Sequence, residues 1–230
     1  MKKLFFYLAL ILIVSLFHPL NMLAGGGKFE GIITYKISLP DINSTTDNMR
    51  SMLPSEMILT VKGSLTRNEY HGGMANIISI TNNNQKTTVN LMDMNGQKVG
   101  IKKNLDDIQK DMEKQPKPKV ELFSDTKVIA GYTCKKAVVT VDVKGQVIPM
   151  EVWYTKELGS REMNYGNSLY REIDGMLMEF SLKNRDLVMK YVATSVDKKQ
   201  VPDSVFDIPA SYKIMTQEEL RNMMTGGQQH

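Results

Sequence analysis

One cysteine, one tryptophan and three histidines are spread over 230 residues. A single cysteine, Cys134, excludes an intramolecular disulfide framework, so core packing must hold the fold. His18 falls in the N-terminal apolar segment and His230 is the last residue, which leaves His71 alone in "NEYHGG". A zinc centre needs three or four clustered ligands, and no Gly-x-Ser-x-Gly nucleophile elbow occurs; the sequence predicts no metal, no cofactor and no enzyme. The formal charge is only +4 with dispersed lysines, not the basic stripe with interleaved aromatics that nucleic acids require. The longest apolar run, "LFFYLALILIVSLF" (Leu4 to Phe17), falls short of the roughly 20 residues of a membrane span.

That run has another reading. Lys2 and Lys3 precede it, Pro19 breaks it, and "NMLAGGG" follows with small residues, which is the layout of a secretory signal peptide. Residues 1–24 are read as that signal, cut near Ala24 to Gly26, so a periplasmic or secreted protein is expected. An uncleaved N-terminal anchor is the alternative. Loss of Lys2 and Lys3 takes the charge from +4 to +2. Residues 25–230 are expected to form one domain, a normal size for a β-rich unit. The tail 222–230 contains "MTGGQQ", which coincides with a common expression tag, and is expected to be disordered.

Period-two alternation dominates the rest. Ile33, Tyr35, Ile37 and Leu39 fall on one side of "EGIITYKISL", and Met57, Leu59 and Val61 on one side of "EMILTVKGS". Asn95-Gly96 and Lys144-Gly145 predict hairpin turns. "KNRD" predicts a third, pairing Met176, Met178, Phe180 and Leu182 with Leu187, Met189, Tyr191 and Ala193. Helical signals are few. Asn104 caps "NLDDIQKDMEKQ", in which Leu105, Ile108 and Met112 share a side and Pro116 stops the helix; Thr216-x-x-Glu219 is a capping box. About ten antiparallel strands with two or three short helices make a mainly β fold, a curled sheet whose concave face is covered by helices.

Cys134 sits among Tyr132, Lys135 and Lys136 without a histidine to activate it, and reads as a small buried hydrophobe. Seventeen methionines are present. Met92/Met94, Met176/Met178 and the Met223-Met224 pair allow Cu(I) ligation by thioethers, but Met-x-Met on a strand is also two apolar residues on one face.

The segments "EGIITYKISLP", "VKGSLTRNEYHGG", "VIAGYTCKKAVVTV", "VWYTKELG" and "VPDSVFDIPASYKIM" occur in an order that resembles an uncharacterised family of exported bacterial proteins. That family is similar in turn to the LolA-like superfamily of lipoprotein and lipid carriers. The resemblance implies an unclosed β half-barrel with a helical lid over an apolar cavity, and no catalytic residues. "STTDN" and "TNNNQ" depart from the pattern and are placed at the cavity mouth.

The function expected is therefore a non-enzymatic envelope protein holding a lipid acyl chain, a lipidated protein or another hydrophobic ligand in a Met-rich apolar cleft. Its lining is assigned to Ile33, Tyr35, Ile37, Met57, Leu59, Val152, Met176, Met178, Phe180, Met189 and Tyr191, with Leu105, Ile108 and Met112 on the lid. A one-residue shift of face would exchange the whole lining. The alternative is an interaction module with a filled core that docks on an envelope protein, and a third reading is Met-based Cu(I) binding.

Overall fold

The computed structural model describes residues 29–40, 51–73, 75–94, 96–143, 145–184, 187–219 and 222. The signal segment, "STTDN", Asn95, Lys144, Met223 and Met224 lie outside the described residues. Twelve strands occur in chain order: β1 (Glu30–Ser38), β2 (Glu56–Lys62), β3 (Leu65–His71), β4 (Asn76–Asn82), β5 (Thr87–Met94), β6 (Gln97–Lys103), β7 (Lys119–Ile129), β8 (Tyr132–Val143), β9 (Gln146–Thr155), β10 (Met176–Asn184), β11 (Leu187–Lys198) and β12 (Lys213–Thr216). Helix α1 (Leu105–Glu113) lies between β6 and β7. The expected mainly β, unclosed sheet is observed, with twelve strands rather than about ten.

All strands join one sheet in the order β12-β6-β5-β4-β3-β2-β1-β11-β10-β9-β8-β7. The chain meanders outward from β1 to β6, crosses to the opposite edge, and meanders back from β7 to β11 beside β1. That crossing consists of α1 and the Lys/Pro segment Lys114–Pro118, and it carries the helix over the sheet. The last stretch crosses the sheet again and adds β12 parallel to β6; the other pairings are antiparallel.

Local chemistry explains the turns. Met94 pairs with Gln97 and Val143 with Gln146, so each loop has two residues. Gly96 and Gly145 take φ of 85° and 84°, which costs glycine least. In each loop an aspartate three residues earlier accepts the glycine N–H, Asp93 at 3.0 Å and Asp142 at 2.7 Å. The "KNRD" hairpin pairs Phe180 with Tyr191 and Leu182 with Met189. For α1, Asn104 Oδ1 accepts from Asp107 N at 3.0 Å and Asp107 Oδ2 accepts from Asn104 N at 3.1 Å, a complete capping box. Thr216 and Glu219 make the same reciprocal pair.

Two apolar clusters form on opposite faces. The larger contains Ile33, Tyr35, Met57, Val139, Val152, Met178, Phe180 and Tyr191; the smaller contains Ile80, Val89, Leu91, Val201 and Phe206. Along β9 the consecutive residues Val152, Trp153, Tyr154 and Thr155 are all buried, so the sheet is covered on both sides there. This is how Cys134 and Ala137, which alternation puts on opposite faces, are both fully buried.

Candidate functional site

The cross-strand register builds the site. Directly opposed residues in an antiparallel pair share a face. From Ile33 the row runs to Leu59, then Asn68, Ser79 and Asn90. A second row runs from Val61 to Thr66, Thr81, Thr88 and Lys103. Both rows change from apolar to polar between β2 and β3. The alternate residues of β4 and β5, Ile80, Val89 and Leu91, point the other way and pack under the crossing segment through Val201 and Phe206. Lys62 Nζ donates to Val201 O at 2.8 Å and Arg67 Nη1 to Val205 O at 3.1 Å, fixing that segment on the convex side.

On the concave side a cavity of ≈ 640 Å³ remains, within the usual range for a small-molecule site. One end is apolar, with Tyr35, Met57, Leu59, Met176, Phe180 and Leu182. The other end is the Thr/Asn/Ser wall of β3, β4 and β5. Ile108, Asp111 and Met112 of α1 close one side, and Met163, Asn164, Asn167 and Ser168 close another. Asn164 holds this second flap by donating Nδ2 to Ile173 O and Gly175 O at 2.8 and 2.9 Å. Lys86, in the β4–β5 turn, lies 4.1 Å from the Tyr165 ring centroid and bridges flap to sheet.

Of the residues assigned to the lining from sequence, Tyr35, Met57, Leu59, Met176 and Phe180 face this cavity, as do Ile108 and Met112 from the lid. Ile33, Ile37, Val152, Met178 and Tyr191 are buried in the large cluster, with half-buried Met189 packed against it; Leu105 is exposed. The Phe180 and Tyr191 rings, directly opposed across β10 and β11, stack at 4.8 Å, so Tyr191 supports Phe180 from the side on the same face. Sequence reasoning missed Thr66, Asn68, Ser79, Thr88, Asn90, Lys103 and Asp111. "TNNNQ" was the usable signal: it supplies Thr81 and Asn83 to the wall.

Among the described residues, charge in the cavity is confined to the lid side. Lys103 Nζ meets Asp111 Oδ2 at 2.7 Å, and Lys114 Nζ lies 3.5 Å from Asp111 Oδ1. The hydrogen bond from Lys103 holds the Asp111 carboxyl below the usual range. Cys134 lies apart from the cavity lining, and burial pushes its thiol up to about 11.

No curated protein matches the chain. Among solved structures it is similar to LprF from Mycobacterium bovis, at 10% identity over 76% of this chain and 89% of that one, with a TM-score of 0.31; a likeness of that size carries no further argument. The profile of one family matches residues 74–213, which include the "VIAGYTCKKAVVTV" and "VWYTKELG" segments and most of "VPDSVFDIPASYKIM". Well over half of the sequence is spanned by that match, and the chain belongs to the family described as "N-glycanase peptide, N-terminal domain".

Proposed function

We propose that the protein is a non-catalytic binding protein of the cell envelope or exterior that holds the apolar chain of an amphiphile in the concave cavity. The observation that carries this reading is the cavity's composition: an apolar end of Tyr35, Met57, Leu59, Met176, Phe180 and Leu182 that continues into a polar end. Each methylene transferred from water to the apolar end contributes about 0.8 kcal/mol, and the flexible methionines adapt to chains of different shape. Binding rather than catalysis is favoured by the only carboxylate lining the cavity among the described residues. Asp111 is clasped by two lysines and stays ionised at neutral pH, whereas a general acid or base works best with a pKa near the working pH.

Native mass spectrometry of gently purified protein tests the reading. A stoichiometric acyl-containing species, lost on solvent extraction and reduced by Leu182→Gln, is expected. An empty protein that also fails to bind any single-chain amphiphile saturably would overturn it and favour a docking module.

A further inference from the structure

The polar wall has a specific chemistry. Thr66, Asn68, Ser79, Thr81, Thr88 and Asn90 line the cavity from three adjacent strands, and none of them carries a charge. Thr81 and Thr88 share a hydroxyl–hydroxyl bond at 3.0 Å, while the side chains of Asn68, Ser79 and Asn90 have no partner among the described residues. Beside them Asn83 is 2% exposed. Its Nδ2 donates to Ser64 O at 3.1 Å, but its Oδ1 has no donor among the described residues. The wall thus offers both donors and acceptors in two parallel rows.

An acyl chain gains nothing from such a wall, since amides deprived of water without a new partner are costly. A phosphate or carboxylate head group would seek a free cation. The only cations lining the cavity among the described residues, Lys103 and Lys114, both pair with Asp111. A neutral group rich in hydroxyls meets the requirement, because each hydroxyl donates once and accepts twice.

We infer that the head group taken at this end is a neutral sugar, so that the ligand class is a glycosylated amphiphile. This inference rests on the amphiphile reading above and adds the recognition of the head. The apolar end holds the chain, and the Asn68–Ser79–Asn90 row hydrogen-bonds the sugar hydroxyls. A site built for hydroxyls discriminates strongly against analogues without them, so selectivity resides in this row and chain affinity at the opposite end.

Three probes that share a ten-carbon chain test it by isothermal titration calorimetry on the mature full chain: decyl maltoside, decylphosphocholine and decanoate, each below its critical micelle concentration. Decyl maltoside is expected to bind at least ten-fold more tightly than the other two. Ser79→Ala and Asn90→Leu are each expected to weaken it about five-fold, the effect of losing one net hydrogen bond, and to narrow its advantage over decanoate. The wild-type comparison needs no variant to fold. Equal affinity for all three probes, or preference for a charged head, overturns the sugar inference and leaves chain binding standing. Maltose binding as tightly as decyl maltoside supports the sugar row and overturns the chain reading. Failure of all three probes overturns both.

Discussion

Lys103 Nζ lies 2.7 Å from Asp111 Oδ2, joining the end of β6 to the helix that covers the cavity. Gln217 Nε2 reaches the same carboxylate at 3.4 Å, so the clasp also touches the chain's return past β6. Among the described residues few other contacts hold α1: Arg171 Nη1 approaches Met112 Sδ at 3.6 Å, and Ile108 is its one buried residue. Lys103→Met is therefore expected to raise amide exchange across residues 105–113 several-fold while β8 and β9 stay protected. Unchanged exchange in the helix would show that the clasp does not secure the lid.

The same clasp sets a pH dependence. Hydrogen bonding to Lys103 lowers the Asp111 pKa in the folded protein. Its contribution is present above the unfolded value of about 3.9 and is lost as pH falls through the folded value. Exchange of α1, corrected for intrinsic rate, should stay flat from about pH 8 to pH 5 and rise only in stronger acid. A rise near neutrality would point to a different titrating group.

Across the core, the Tyr35 hydroxyl donates to Leu177 O at 2.8 Å, linking β1 to β10 over 142 residues of sequence. Tyr35 is fully buried and burial keeps its phenol protonated. Tyr35→Phe leaves a buried carbonyl without this donor, so a loss of about 1–3 kcal/mol is expected. Urea denaturation should show a lower midpoint with an unchanged slope; an unaltered midpoint would mean that the carbonyl finds another partner.

These relationships differ in how far the sequence could reveal them. The turns at Gly96 and Gly145 and the cap at Asn104 are legible because each donor and acceptor lies within three residues. The alternation of Ile78, Ser79, Ile80 and Thr81 is equally plain, but which side faces the cavity is not. That depends on Leu59 opposing Asn68 across the β2–β3 hairpin and on Val201 and Phe206 arriving more than 100 residues later to cover Ile80 and Leu91. Alternation alone therefore assigns apolar residues to the cavity throughout and passes over the polar wall. Cys134 shows a second limit. It is buried with Ala137 despite opposite parity because both faces are covered near β9.

Glu179 carries a sharper electrostatic prediction. It is buried in the sheet between Lys127, with which it forms an ion pair, and Lys190, whose Nζ lies 2.8 Å from Glu179 Oε1. Burial raises its pKa, but hydrogen bonds from the two lysines outweigh that and the net direction is down. Its stabilising contribution is therefore present above about pH 4.3, the unfolded glutamate value, and is lost as pH falls through the folded value. Because both lysines are partly exposed, Glu179→Gln is expected to cost about 1–2 kcal/mol rather than the larger penalty of a fully buried pair. The difference between variant and parent in urea should be constant above the unfolded glutamate value and shrink as pH falls through the lowered folded value; a difference independent of pH would assign the cost to packing.

Cys134 yields the last prediction. Its side chain is fully buried, and Sγ lies 3.5 Å from Tyr132 O. With the thiol pushed up to about 11 by burial, the thiolate fraction at pH 8 is on the order of one in a thousand. An aromatic disulfide reagent should leave the folded protein unlabelled and modify one thiol per chain after unfolding in urea. Cys134→Ser retains a donor for Tyr132 O while placing a more polar atom in an apolar site, so a cost of about 1 kcal/mol is expected with amphiphile binding unchanged. Rapid labelling of the native protein, a covalent dimer under oxidising conditions, or loss of binding in the variant would replace the packing role with a chemical one.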